Sequence, residues 1–223
     1  MNKMLNGAPF EANDPKGTSF ELASGIIFDP LDPDPDLMTI EDIAASLSNT
    51  CRFNGHVLPG CFLSTAQHSV LVAGLSPGDM RIQRYALLHD ADEAFGIPDF
   101  ITPVKKRFPA VKTAQKKLGA AVEERFDLDP ATYDIVKAAD RQALYLERRA
   151  AKNRKHEARW LEWLGNAEVP EGISIVPLPP AEAHALFLEA YDRVFDRDLP
   201  ITREWMAVQD GFEVELAEPV ASP

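Results

Sequence analysis

Apolar residues recur at three- and four-residue intervals through most of the chain, the spacing that lines one face of an α-helix. In RYALLHDADEAF (84–95), Ala86, Tyr85 and Ile82 lie three, four and seven positions before His89. In STAQHSVLVAGL (64–75), His68 shares its face with Leu71, Val72 and Leu75. In IVKAADRQALYL (135–146), Asp140 stands in line with Val136 and Leu144. Three stretches that pattern as helices facing a core thus each carry a side chain that a core does not favour. A carboxylate on an apolar stripe is costly unless it is paired or binds metal.

The helix boundaries are legible from caps and breakers. Thr39 precedes IEDIAASL and caps it, and Ser64 with Gln67 reads as a capping box. Asp79 caps a helix expected to run to Asp90. Pro98 and Pro103 mark GIPDFITP (96–103) as a loop. Further helices are expected over 110–126, 131–150 and 155–164, the last with Trp160 and Trp163 packing. A long connection follows over 165–180, and a strong amphipathic helix over 181–195 carries His184 as a packing or surface residue. SFELASGIIFD (19–29) predicts a short strand or hairpin, and LDPDPD (31–36) a proline-broken turn. The predicted class is mainly α: a flexible arm over 1–18, one helical domain over 19–208 and a mobile tail over 209–223.

Composition narrows the class. The 223 residues are 45% hydrophobic and 26% charged, as in an ordinary globular domain with one substantial core. A net charge of −12 disfavours a nucleic-acid duplex as partner, although a local metal ion or arginine can still attract a small phosphorylated ligand. Two cysteines, Cys51 and Cys61, are expected to be free thiols rather than a disulfide or a zinc site. The opening residues show no apolar signal core and no run is long enough to span a bilayer, so a cytoplasmic location without membrane association is expected.

Taken alone, a histidine on an apolar face is ordinarily a hydrogen-bonded core residue. A buried aspartate ordinarily caps a helix or pairs with an arginine, and Arg141 adjoins Asp140. The ordered set is more specific. His68, His89, Asp90 and Asp140 can hold one divalent ion, and mixed imidazole and carboxylate ligands suit Mn, Co, Zn, Fe or Ni better than Ca. Consecutive residues diverge by about 100° on a helix, so His89 and Asp90 converge on one ion only if it sits at the helix end.

The stretches CRFNGH (51–56), STAQHSVLVA (64–73), ALLHDADEAFGIPDFITPVK (86–105) and KAADRQAL (137–144) resemble the HD-domain metal-dependent phosphohydrolases, closest to the bacterial 5'-deoxynucleotidase and phage deoxynucleotide phosphohydrolase branch. The resemblance spans roughly residues 20 to 195. It implies an HD-type helical bundle with His68, His89, Asp90 and Asp140 as metal ligands. It also implies catalytic or phosphate-binding roles for Arg52, Glu93 and Asp99. Two departures concern the sugar and base. The family's arginine is often followed by tryptophan, where Phe53 stands here, and the segment from Glu93 to Asp99 looks one residue longer.

The residue chemistry fits these roles. Glu93, one turn after His89 if the helix persists, is suited to orient a water or move a proton; otherwise it is an exposed helix-end glutamate. Asp99 is suited to the leaving oxygen or the sugar, or to capping the turn after Pro98. The Arg52 fork suits phosphate, or else a surface ion pair. Phe53 is expected to pack on a sugar, and Lys105 is a weaker phosphate candidate. His56 reads as support for the site or as plain structure. No histidine lies between Asp90 and Asp140, whereas HD enzymes with two metals look as if they need extra histidines there. One transition-metal site is therefore expected, with Mg accompanying the substrate phosphates.

The expected activity is attack of a metal-bound water on a deoxynucleoside monophosphate. The alternatives are a deoxynucleoside triphosphate triphosphohydrolase of the dATP type and, in a different class, a catalytically silent nucleotide-binding regulatory HD module. A small-molecule nucleotide is the expected partner, and a homo-oligomer the expected assembly.

Overall fold

The computed structural model describes residues 17–165, 168 and 170–216. Among these the fold is mainly α with two short antiparallel strand pairs. In chain order the elements are β1 (Phe20–Glu21), β2 (Ile27–Phe28), α1 (Ile40–Asn49), α2 (Thr65–Leu75), α3 (Met80–Leu88), α4 (Thr102–Arg107), α5 (Pro109–Arg125), α6 (Tyr133–Ala151), α7 (Glu157–Leu164), β3 (Ile173–Ile175), α8 (Pro180–Tyr191), α9 (Arg203–Met206) and β4 (Phe212–Val214). No helix among the described residues is long and apolar enough to cross a membrane.

The chain divides into two compact units, each assembled from two stretches of sequence. One is drawn from Met1–Ser46 and Asp90–Leu128, the other from Leu47–His89 and Asp129–Pro223.

In the first unit β1 and β2 form the expected hairpin, with Phe20 opposite Phe28. Gly25 closes the turn at φ 86°, a conformation that costs glycine little. Fully buried Phe28 packs on fully buried Phe95, ring centroids 5.0 Å apart. Thr39 caps α1 by accepting from the Asp42 amide at 3.2 Å. Buried Asp42 in turn accepts from the hydroxyls of Thr39 and Ser24 and from the Ser24 amide. Ala114, Leu118, Ala121 and Val122 form the buried face of α5, which leaves Lys112, Lys116 and Lys117 on its outer side, as the basic face predicted. Proline at the start of α4 presets the first helical turn; the short helix lies where a loop to 103 was expected.

The second unit is organised around α2. Every residue of this helix from Thr65 to Ala73 is buried, and α3, α6 and α8 pack against it. Two glutamines bind loops to this core. Gln67 donates to the carbonyls of Val176 and Gly211 and accepts from the Leu178 amide. Gln83 donates to the carbonyls of Ala73 and Ile201 and accepts from the Ile201 amide. Buried amides so satisfied act as surrogate backbone. Gly74 lets the Met206 side chain approach α2 closely, since a β-carbon there would meet the Met206 sulfur and force it to shift.

The connection after α7 holds β3, and β4 pairs with it, Ser174 opposite Glu213. Strand β4 falls in the stretch expected to be a mobile tail. Its burial signal is one residue, Phe212, too short to show as a pattern. The rest of that tail from 217, and the arm through 16, lie outside the described residues.

Candidate metal centre

Three helices of the second unit each contribute one group. The Ser64 hydroxyl accepts from the Gln67 amide at 3.1 Å and fixes the start of α2, so that His68 falls in its first turn, 1% exposed. Asp79 caps α3 as expected, but the helix ends at Leu88 and His89 is its C-cap residue. On α6, Asp140 shares its face with buried Val136 and Ala143.

His68, His89 and Asp140 place one ligand atom each within 4.8 Å of the others. The two imidazole Nε2 atoms are 3.3 Å apart, and Asp140 Oδ1 is 3.4 Å from His68 Nε2. What lies behind the rings fixes their tautomers. His68 Nδ1 faces a carboxylate oxygen of Glu147 at 2.8 Å, and His89 Nδ1 faces the Ala86 carbonyl at 2.7 Å. Both partners are acceptors, so both Nδ1 atoms carry the hydrogen, and each ring in its neutral form presents a lone pair on Nε2. Two lone pairs and a carboxylate oxygen then converge, an arrangement that can hold a cation between them.

The residues fit a divalent metal. With nitrogen and oxygen ligands at about 2.0–2.1 Å, the atoms around a tetrahedral ion stand roughly 3.3 Å apart, close to the two separations seen here. His, His and carboxylate is a donor set for a transition metal. Burial works to raise the Asp140 carboxyl. When the two rings carry protons in place of a metal, the hydrogen bond and charge of His68, then the charges of His89 and Lys137, outweigh it and hold the group well below the usual carboxylate range. Lys137, one turn earlier on α6, donates to Asp140 Oδ2.

Sequence reasoning missed Glu147. It is fully buried, seven residues after Asp140 and so on the same stripe two turns on. Extending that stripe past Leu144 would have found it. Arg52 meets it from the other side: Nε and Nη2 donate to Glu147 Oε2, each at 3.2 Å. Burial opposes ionisation of Glu147, but the charge of Arg52, then the charge and hydrogen bond of His68 when that ring is protonated, prevail and its carboxyl is lowered.

Arg52 begins the strap that leads into α2, and the strap is tied down at several points. The Arg52 amide donates to the Leu63 carbonyl and the Leu58 amide to the Ala151 carbonyl. Lys152 donates to the His56 carbonyl at 2.7 Å and lies 4.7 Å over the Phe53 ring. Phe53 and Asn54 hold left-handed backbone, φ 56° and 52°, unusual for an aromatic residue. His56 itself is exposed, and Cys51 and Cys61 are free thiols.

Asp90, Glu93, Asp99 and Lys105 fall in the first unit. Among the described residues the cluster of metal-capable groups comprises His68, His89 and Asp140, three of the four expected ligands. The helical turn that was to carry Glu93 does not persist. Asp90 leaves helical geometry at φ −106°, ψ 12°, and Glu93 lies in the 3-10 turn Ala91–Ala94 that follows. Asp99 forms an ion pair with Lys105 rather than capping the turn after Pro98. Asp92, not anticipated from sequence, has its carboxyl pushed up to about 7 by burial, then by the charge of Asp90, with Asp99 adding and Lys105 opposing.

No family model matches the chain. It is 36% identical over 157 residues to YfdR, an uncharacterized protein of Escherichia coli, a match covering 70% of this chain and 84% of YfdR. It is also 36% identical over 178 residues to an uncharacterized protein of Rhodobacter capsulatus, covering 74% of this chain and 90% of that one. With that identity over most of both lengths, the chain belongs to the family of YfdR.

Proposed function

We propose that this protein is a metal-dependent phosphohydrolase of the HD-domain type that cleaves phosphate from nucleotides, with deoxynucleoside monophosphates as its substrate class. The observation that carries the reading is the convergence of the His68 and His89 lone pairs with the Asp140 carboxylate. With Nδ1 of each ring committed behind it, both Nε2 atoms and the carboxylate oxygen are placed to share one cation. The order His68, His89-Asp90, Asp140, by which the sequence resembles HD-domain enzymes, supplies the reaction class.

His68, His89 and Asp140 would hold the ion. Asp90, the residue after His89, is the fourth ligand on the strength of the sequence alone. A divalent metal at such a site supplies Lewis acidity, neutralising phosphoryl charge and lowering the pKa of a water. Lys137 fixes the Asp140 carboxylate by its hydrogen bond to Oδ2. In this reading Glu93 moves the proton of the attacking water, and Asp99 with Lys105 serves the leaving side of the substrate. These three roles come from the sequence resemblance and from the chemistry of the groups.

The test begins with metal-stripped protein reloaded with Mn, Co, Zn or Mg. All ribo- and deoxynucleoside mono-, di- and triphosphates are then screened for released phosphate and triphosphate. Metal-dependent phosphate release from deoxynucleoside monophosphates is the expected result. Intact triphosphate as product would replace the substrate class with the triphosphates. Nucleotide binding without turnover under any metal would make the protein a silent regulatory module.

A further inference from the structure

We infer that Glu147 is the positioning residue of the metal centre and Arg52 its counter-ion, so that Arg52 acts on the metal through Glu147 and His68 rather than on substrate phosphate. The inference rests on the metal-dependent reading above and assigns the device that prepares its site.

Glu147 is fully buried, and both of its oxygens are engaged. Oε1 receives His68 Nδ1 at 2.8 Å, within the range of a charge-assisted hydrogen bond. Oε2 receives Nε and Nη2 of Arg52. Stability alone does not explain this arrangement. A buried ion pair gains little over apolar residues of the same volume, because both charges must be stripped of water. What a carboxylate does here, and an apolar side chain cannot, is hold the hydrogen on His68 Nδ1 and turn the Nε2 lone pair toward His89 and Asp140. Carboxylates placed behind metal-binding histidines have this effect generally.

The fold makes the support rigid. Asp140 and Glu147 stand two turns apart on α6, so one helix presents a ligand and the support for the ligand on α2. Arg52 is delivered by the strap whose Leu58 amide and His56 carbonyl are bonded at the C-terminal end of the same helix. With two of its donors spent on Glu147, Arg52 has a structural task that its phosphate role in the sequence comparison does not foresee.

The experiment is calorimetric titration of metal-stripped protein with Co(II), followed by titration of the Co(II)-saturated protein with inorganic phosphate. The variants are Glu147→Gln, Arg52→Lys and the double variant Arg52→Gln/Glu147→Gln. The double variant removes both charges together and so leaves no orphaned ion in the core; circular dichroism reports the fold. Folded Glu147→Gln and double variants are expected to bind Co(II) roughly 10–100-fold more weakly. Arg52→Lys, which keeps the charge, is expected to lose less, and phosphate affinity at saturating Co(II) is expected to stay at the wild-type value. Wild-type Co(II) affinity in both Glu147 variants would overturn the inference and leave the phosphohydrolase reading standing. So would variants at Arg52 that weaken phosphate binding while leaving Co(II) binding intact. A wild-type protein that takes up no metal would overturn both.

Discussion

His68 and Glu147 are joined by a 2.8 Å hydrogen bond between Nδ1 and Oε1, and neither side chain is exposed to solvent. That contact decides which nitrogen of His68 faces the centre of the second unit. The Ala86 carbonyl makes the same choice for His89. The site is therefore defined as much by what stands behind the two rings as by the rings themselves.

Removal of Asp140 tests the convergence directly. Asp140→Ala removes the carboxylate beside the two imidazoles and the acceptor to which Lys137 donates, so a cation would face uncompensated positive charge. Metal affinity is expected to fall by more than the ~10–100-fold typical of a supporting residue, and His89→Ala is expected to behave alike. Metal content after dialysis checks this. Stoichiometric metal retained by either variant would remove these residues from the ligand set.

Glu93→Ala separates proton transfer from metal binding. Glu93 lies in a 3-10 turn and is not one of the three convergent groups. The variant is expected to keep its fold and metal and lose roughly 10²–10⁴-fold in kcat, the scale of general acid–base catalysis. Normal turnover would reject the assignment and make Asp99 the candidate.

The sequence displays the three convergent groups because burial is periodic and each is an intruder on an apolar stripe. His68, His89 and Asp140 were found that way, and the caps at Thr39, Ser64 and Asp79 from the residue type standing before each helix. Glu147 escaped because the stripe was read only as far as Leu144. The end of α3 was read at Asp90, two residues past Leu88, and continuation of the turn to Glu93 was left open because no proline or glycine stands between them. Strands β3 and β4 were invisible for another reason. Each is three residues long, below the length at which alternation differs from chance, and their position is set by Gln67, more than a hundred residues away from Val176 in sequence.

Phe53 offers a test of sugar selection that does not threaten the fold. Its left-handed backbone costs about 1–2 kcal/mol for a residue with a β-carbon, and glycine adopts it freely. The stacking of Lys152 on its ring returns about 0.5–1 kcal/mol. Phe53→Gly is thus expected to leave Tm unchanged or slightly raised. If the ring packs on the substrate sugar, the same variant loses the preference for deoxy over ribo forms. Paired kcat/KM values for one base in both sugar forms decide it; an unchanged ratio would mean that Phe53 is retained for the strap alone.

Asp92 predicts a pH dependence whose sign runs against most carboxylates. Its carboxyl stands near 7 in the folded chain, against roughly 3.9 when unfolded. Between those values the folded state holds a proton that the unfolded state has released, so stability is complete below about pH 4 and declines as pH rises toward 7. Three pH units correspond to about 4 kcal/mol at most; because Asp92 retains some solvent contact, a loss of roughly 1–3 kcal/mol is the reasonable expectation. Asp92→Asn removes the ionisation without changing the shape. In urea titrations with a chelator present, the variant is expected to match wild type near pH 4 and to exceed it at pH 8. Histidines that titrate in the same window cancel in that difference. Equal stability of the two proteins at pH 8 would show that the Asp92 carboxylate is solvated there as well as it is in the unfolded chain.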